Sequence, residues 1–176
     1  RYEVSSSTSF NSLVAEGTVQ ALPAHDYTVM VDVDSLSPNS KLYYRFSYQG
    51  AQSVIGETIT LPEAGAAISE LNVAVCSCSN YPTGYFNVYD AIAKSEADVV
   101  LHLGDYIYEY GGAGSYGDNP LLARLHDPNK EILTLDEYRK RYRQYRTDES
   151  LQLAHQKKPF IVVWDDHEVA NDAFKN

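Results

Sequence analysis

Two apolar runs constrain the fold of this chain more than any other feature. Ala97-Asp98-Val99-Val100-Leu101-His102-Leu103 passes straight into Gly104-Asp105-Tyr106-Ile107-Tyr108-Glu109. Phe160-Ile161-Val162-Val163-Trp164 passes straight into Asp165-Asp166-His167-Glu168. Short apolar runs of this kind read as buried strands, and each ends in a burst of ionisable side chains. Ligands of open α/β sheets bind outside the carboxyl ends of the strands. Hard oxygen ligands gathered there point to a metal-dependent hydrolase.

The pattern before these runs is different. Residues 1–62 read as all-β, with strands expected at Arg1–Ser6, Leu13–Leu22, Tyr27–Val33, Lys41–Tyr48 and Ser53–Leu61. Val29, Val31 and Val33 fall on one side of the third run. Five strands at this spacing suggest a sandwich; a fibronectin-type sandwich needs about seven, so the expectation is a partial one lacking its first two. Leu42 stands where a tyrosine corner would fall. Residues 63–70 read as a linker. From residue 71 the rhythm becomes strand, helix, strand, helix, strand. Leu71–Val75 is a strand and Tyr85–Ser95 a helix carrying Phe86, Tyr89 and Ala93 on one face. Gly111–Asn119 is a glycine-rich loop. Thr134 with Glu137 forms a capping-box signature, opening a helix with the stripe Leu135, Tyr138, Tyr142 and Tyr145. The basic residues Arg139, Lys140, Arg141, Arg143 and Arg146 read as its solvated face.

Composition excludes some roles. The 176 residues carry a net charge of −10 and are 44% hydrophobic. A core can form, and the acidic balance argues against a nucleic-acid backbone binder, which needs a basic face. The only cysteines, Cys76 and Cys78, are too close in sequence for an ordinary structural disulfide. No apolar run reaches the roughly 18 residues of a membrane span. The sequence starts at Arg1 without a methionine, so a native start and any targeting segment are expected upstream.

Several side chains can carry chemistry. Asp105 follows Gly104 at a strand end, either facing a cleft or capping the next turn. Tyr108, three residues on, comes within reach of Asp105 in one short turn. Its phenol loses a proton at about pH 10 in water, and a bound trivalent cation lowers that strongly. Cys78 ends the first α/β strand, as an anionic ligand or a small hydrophobe; Cys76 reads as buried. Of the adjacent Asp165 and Asp166, one can hold a metal while the other orients His167. A histidine beside a phosphate stabilises developing charge or protonates a leaving group. Asn171 and Asp172 can add oxygen ligands. His102 faces away from Leu101 and Leu103, as a hydrogen-bonded core histidine or a support for a site residue.

Three motifs in order, Cys78-Ser79-Asn80-Tyr81 with Gly84-Tyr85-Phe86, His102–Glu109, and Trp164–Val169, resemble the PhoD-like alkaline phosphatase/phosphodiesterase family of the calcineurin-like metallophosphoesterases. The resemblance covers roughly residues 68–176. It implies an α/β fold, the first half of an αββα sandwich, over 71–176, preceded by the partial fibronectin-like domain. It implies Fe(III) and Ca(II), with other divalent metals as alternatives. Asp105 would bridge the metals, Cys78 and Tyr108 would bind iron, and Asp165 with Asp172 or Asn171 would serve calcium. Asp166 and His167 would be catalytic, in place of the Asn-His pair of the wider superfamily. Cys78 stands where that superfamily has an Asp-x-His motif. The later Asp- and His-bearing motifs are expected beyond Asn176. The implied substrates are phosphate monoesters and diesters, with no stable nucleic-acid complex. The implied location is secreted, periplasmic or cell-surface. A degenerate binding module and a nuclease or pyrophosphatase of the same fold are the competing readings.

Overall fold

The computed structural model describes residues 1–112 and 122–173. Much of the Gly111–Asn119 loop therefore lies outside the described residues. The chain divides into two compact units, Arg1–Leu71 with Gln156–Pro159, and Asn72–His155 with Phe160–Asn176.

The first unit is an antiparallel sheet built on β3 (Lys41–Tyr48). β1 (Tyr2–Ser5) pairs with one edge of β3 and with β2 (Leu13–Gly17). β4 (Ala51–Gln52) and β5 (Gly56–Ile59) pair with β3 in two separate pieces. The expected Ser53–Leu61 strand is thus shorter and interrupted. Gln49 and Gly50, with φ of 48° and 85°, form the two-residue turn that lets β4 fold back. Val4, Phe10 and Leu42 are its buried apolar residues.

Tyr27–Val33 was expected as a strand and is not one: these residues belong to no ladder among the described residues. The alternation survives, since Val29, Val31 and Val33 are half-buried while Met30 and Asp32 are exposed. Side-chain period gives a residue's face; a ladder also needs a strand to pair with, and no described strand pairs with this segment.

The second unit has a parallel sheet ordered β6-β7-β8, formed by Val73–Cys76, Val99–His102 and Phe160–Val162. Helices α1 (Asn87–Lys94), α2 (Leu135–Tyr145) and α3 (Glu149–Lys157) complete it. Phe86, Tyr89, Ile92, Ala93, Tyr145, Leu151 and Ala154 pack around Val100, with Ala74, Cys76 and Phe160 partly buried against them. One face of the sheet is therefore covered. On the other, Val73, Val75, Leu103 and Val163 are exposed, and Ile161 keeps 55% of its surface accessible. The strands that read as buried are covered on one side only.

Sequence periodicity located α1 and α2, and two of the four expected α2 stripe residues, Tyr138 and Tyr145, pack in or against the core. Leu135 is 65% exposed and Tyr142 is also exposed, whereas Arg141 and Tyr145 are fully buried. Arg141, expected on a solvated face, donates to the carbonyls of Tyr108, Tyr110, Pro128 and Lys130. Its fixed fork of donors suits convergent carbonyls. The capping box is present: Thr134 Oγ1 accepts from the Glu137 N–H, and Glu137 reaches back to Thr134 N. Helix α3 goes beyond the expected elements; Asp148 caps it, its Oδ1 accepting from the N–H groups of Ser150 and Leu151.

Candidate metal centre

The carboxyl ends of β6 and β7 are tied by the backbone. Leu103 N donates to Cys76 O at 2.9 Å, Cys78 N to Gly104 O at 3.2 Å, and Ser79 N to Asp105 O at 3.0 Å. Cys78 lies two residues beyond the end of β6, rather than ending it. It and Asp105 both take left-handed backbone angles, φ 57° and 52°. Beside them Gly104 has φ 98°, and a Cβ there would stand 2.5 Å from the Asp165 nitrogen. The third strand end thus comes against the second only because residue 104 has no side chain.

Asp105 and Tyr108 meet as their spacing suggested: the Tyr108 hydroxyl donates to Asp105 Oδ2 at 3.1 Å. Asp105 Oδ1 is buried with no hydrogen-bond partner among the described residues. Leaving a carboxylate oxygen so placed costs free energy unless something else satisfies it. Asp105, Asp166 and His167 each offer one ligand atom, and these atoms lie within 4.8 Å of one another. The exposed Cys78 stands outside this three-group cluster. Burial, then the Asp105 carboxylate and Cys78, push the Tyr108 phenol well above its ordinary value. A cation at the cluster would reverse that balance.

The acids after Trp164 have separate tasks. Asp165 caps its turn by accepting from Asp166 N at 3.0 Å and stands outside the three-group cluster, whereas Asp166 is in it. Asp166 Oδ2 accepts from Asp172 N at 2.5 Å, and this donation lowers the Asp166 pKa. Asp172 also stands outside the cluster, and the Asn171 amide donates to the Asp172 carboxylate at 3.0 Å. Cys76 is half-buried against the core, as expected.

Two carboxylates of the strand-end bursts, to which the sequence assigned no role, hold the site together. Glu109, 2% exposed, accepts from His167 Nδ1 at 2.8 Å and from Asn171 N at 2.7 Å. That bond leaves His167 Nε2 as the nitrogen open to the cluster. Glu168 accepts from the N–H groups of Asp105, Tyr106 and Asp165, joining two strand-end turns. Its signal was legible: Asp165-x-x-Glu168 is a capping-box pattern, and both halves of the box form.

The site offers hard carboxylates with an imidazole, flanked by a phenol and a thiol. Gathered beyond the carboxyl ends of parallel strands, these groups define an α/β protein with a side-chain set suited to holding cations. Comparison with known proteins agrees. The sequence pattern described as "PhoD-like phosphatase" matches residues 73–176, and that of its N-terminal domain matches residues 1–62. The chain belongs to the PhoD-like phosphatase family. It is 42% identical over 172 residues to alkaline phosphatase D of Bacillus subtilis (strain 168), covering 98% of this chain and 29% of that protein. It also matches a solved structure described as "Structure of PhoD" with a TM-score of 0.91 and 43% identity, covering 97% of this chain and 32% of that one. The chain thus spans under a third of the length of these relatives.

Proposed function

We propose that this protein is a metal-dependent phosphatase that hydrolyses phosphate monoesters and diesters. One observation carries the reading: Asp105, whose buried Oδ1 has no partner among the described residues, lies in a cluster with Asp166 and His167 beside Tyr108. The family membership supports it. Asp105 would serve both cations, Cys78 and Tyr108 would hold Fe(III), and Asp165 with Asp172 or Asn171 would hold Ca(II). The position of Asp166 in the cluster makes it a rival to Asp165 for the second role. Bound there, the cations would neutralise phosphate charge and lower the pKa of the attacking water.

The protein's own groups do the rest. Glu109 holds the Nδ1–H of His167, so the opposite nitrogen hydrogen-bonds a phosphoryl or leaving-group oxygen. Asp166 steadies the turn on which His167 stands. The backbone bonds between Cys78, Ser79 and the Gly104–Asp105 turn fix the distances between ligands before substrate arrives.

On the same reading, residues 1–62 form a partial fibronectin-like domain and 63–70 a linker. Residues 71–176 form the first half of the αββα catalytic domain. The uncovered sheet face of Val73, Val75, Leu103, Ile161 and Val163 suits packing by a second sheet. No described helix is long and apolar enough to cross a membrane. By family analogy the protein acts outside the cytoplasm, on phosphate esters and without a stable nucleic-acid complex.

The test uses the full-length protein with p-nitrophenyl phosphate and its bis-ester, alongside iron and calcium analysis. Asp105→Ala should abolish turnover and lower the metal content, and Tyr108→Phe should lower both turnover and iron. Undiminished turnover in Asp105→Ala would exclude the assignment. Hydrolysis of the monoester alone would remove the diesterase part.

A further inference from the structure

We propose that His102 and Tyr89 are positioning residues: a buried hydrogen-bond relay from Gly104 through His102 and Tyr89 to Ser79 sets how closely the Cys78 turn approaches the Asp105 turn. The proposal rests on the metal-site reading above and adds residues to which that reading gives no role.

The hydrogen bonds have a direction. Gly104 N–H can only donate, and it meets His102 Nδ1 at 3.3 Å. His102 therefore carries its proton on Nε2, which donates to the Tyr89 hydroxyl at 2.9 Å. The Tyr89 proton is left for Ser79 Oγ at 2.5 Å. His102 and Tyr89 are fully buried and their rings are parallel, 2° apart in plane. Burial lowers the His102 pKa and raises that of Tyr89, so the relay is neutral throughout.

Both ends of the relay fall on turns that carry proposed ligands. Gly104 precedes Asp105, and Ser79 follows Cys78. The Cys78 N–Gly104 O and Ser79 N–Asp105 O bonds join the same turns by the main chain. The relay ties them again through a strand side chain and a helix side chain. An apolar pair would fill this part of the core without needing any partner. A satisfied polar chain fixes one arrangement, because any shift strands a buried donor or acceptor.

The experiment uses the full-length protein with Tyr89→Phe, Ser79→Ala, His102→Leu and His102→Gln. Loss of a hydrogen-bonding support to a ligand typically costs about 10–100-fold in activity or metal affinity. Tyr89→Phe and His102→Leu should lower kcat by about tenfold or more on that scale, with KM little changed. They should also shift the visible absorption of bound iron. His102→Gln, whose amide still donates to Tyr89, should recover most of kcat. Ser79→Ala cuts the relay at its outer end while sparing the core, and covers the case in which a core variant fails to fold.

Two readouts need neither metal nor turnover. Nitrogen-15 NMR of the metal-free protein should show His102 protonated at Nε2 and bare at Nδ1. Site-resolved alkylation should show that Cys78 reacts at a different rate in Ser79→Ala. A His102 protonated at Nδ1, or folded relay variants with unchanged kcat, absorption and Cys78 reactivity, would overturn the relay. A wild-type protein without metal or turnover would instead sink the phosphatase reading and leave the relay to the NMR and alkylation results.

Discussion

At Gly104 the backbone sits at φ 98°, and an added methyl group would stand 2.5 Å from both Cβ and N of Asp165. Backbone angles of this kind cost a non-glycine residue about 1–3 kcal/mol before any clash is counted. Gly104→Ala should therefore lower the unfolding midpoint and separate the Asp105 turn from Asp166 and His167. Loss of metal from a still-folded variant would show the second effect; a wild-type midpoint with full metal content would contradict both. Glu109 is the second residue on which the geometry turns. Replacing it with Ala strands the His167 Nδ1–H and the Asn171 N–H. On the scale of supports to ligand-type histidines, kcat should fall about 10–100-fold. Glu109→Gln keeps an acceptor oxygen and should retain much more activity in the same steady-state assay.

α2 is the element that most clearly joins stability to the site. Its first turn is closed by the Thr134–Glu137 box, and its middle sends Arg141 to four backbone carbonyls. One of those carbonyls belongs to Tyr108. Thr134→Ala removes a cap worth about 0.5–2 kcal/mol, and because the cap lies far along the helix from Arg141, kcat should not change. Arg141→Lys keeps the charge but cannot span four acceptors. It should lower the urea midpoint more than Thr134→Ala does, and lower kcat by loosening Tyr108. Equal midpoints for the two variants would show that the guanidinium fork is dispensable.

Taken as a whole, the molecule should lose stability in mild acid through imidazoles buried in the neutral form. His126 bonds the Tyr145 hydroxyl at 2.9 Å, and burial followed by Arg141 holds its pKa down to about 3. His155 faces the Tyr106 hydroxyl at 2.9 Å and Arg146 at 2.8 Å, and burial followed by Arg146 holds it down to about 3. Unfolded, each returns to its ordinary value of 6.5. Between these values the unfolded chain binds the extra protons, so stability rises with pH through the window. The contribution is complete above pH 6.5 and is lost as pH falls towards 3. Carboxyls held low, Glu137 at about 2 among them, act only below their ordinary 4.5. A fall in the unfolding midpoint between pH 6.5 and 4.5 would thus report the imidazoles. His126→Gln should flatten it, and an unchanged slope would contradict this account.

The sequence by itself determined what local periodicity and spacing can encode. β3, the core residues of α1, the Thr134 cap, the Asp105–Tyr108 contact and the strand-end placement of Asp105, Asp166 and His167 all follow from offsets of a few residues. Tertiary structure decided whatever depends on a neighbour distant in sequence. The valines of Tyr27–Val33 kept their alternation but found no strand to pair with, because alternation fixes a face and not a partner. Arg141 looked like surface charge, since only the fold brings four carbonyls to meet it. The placing of Asp166 in the cluster and of Glu109 behind His167 was equally hidden. Adjacent carboxylates are chemically alike, and only the hydrogen-bond donors brought to each by the folded backbone make them different.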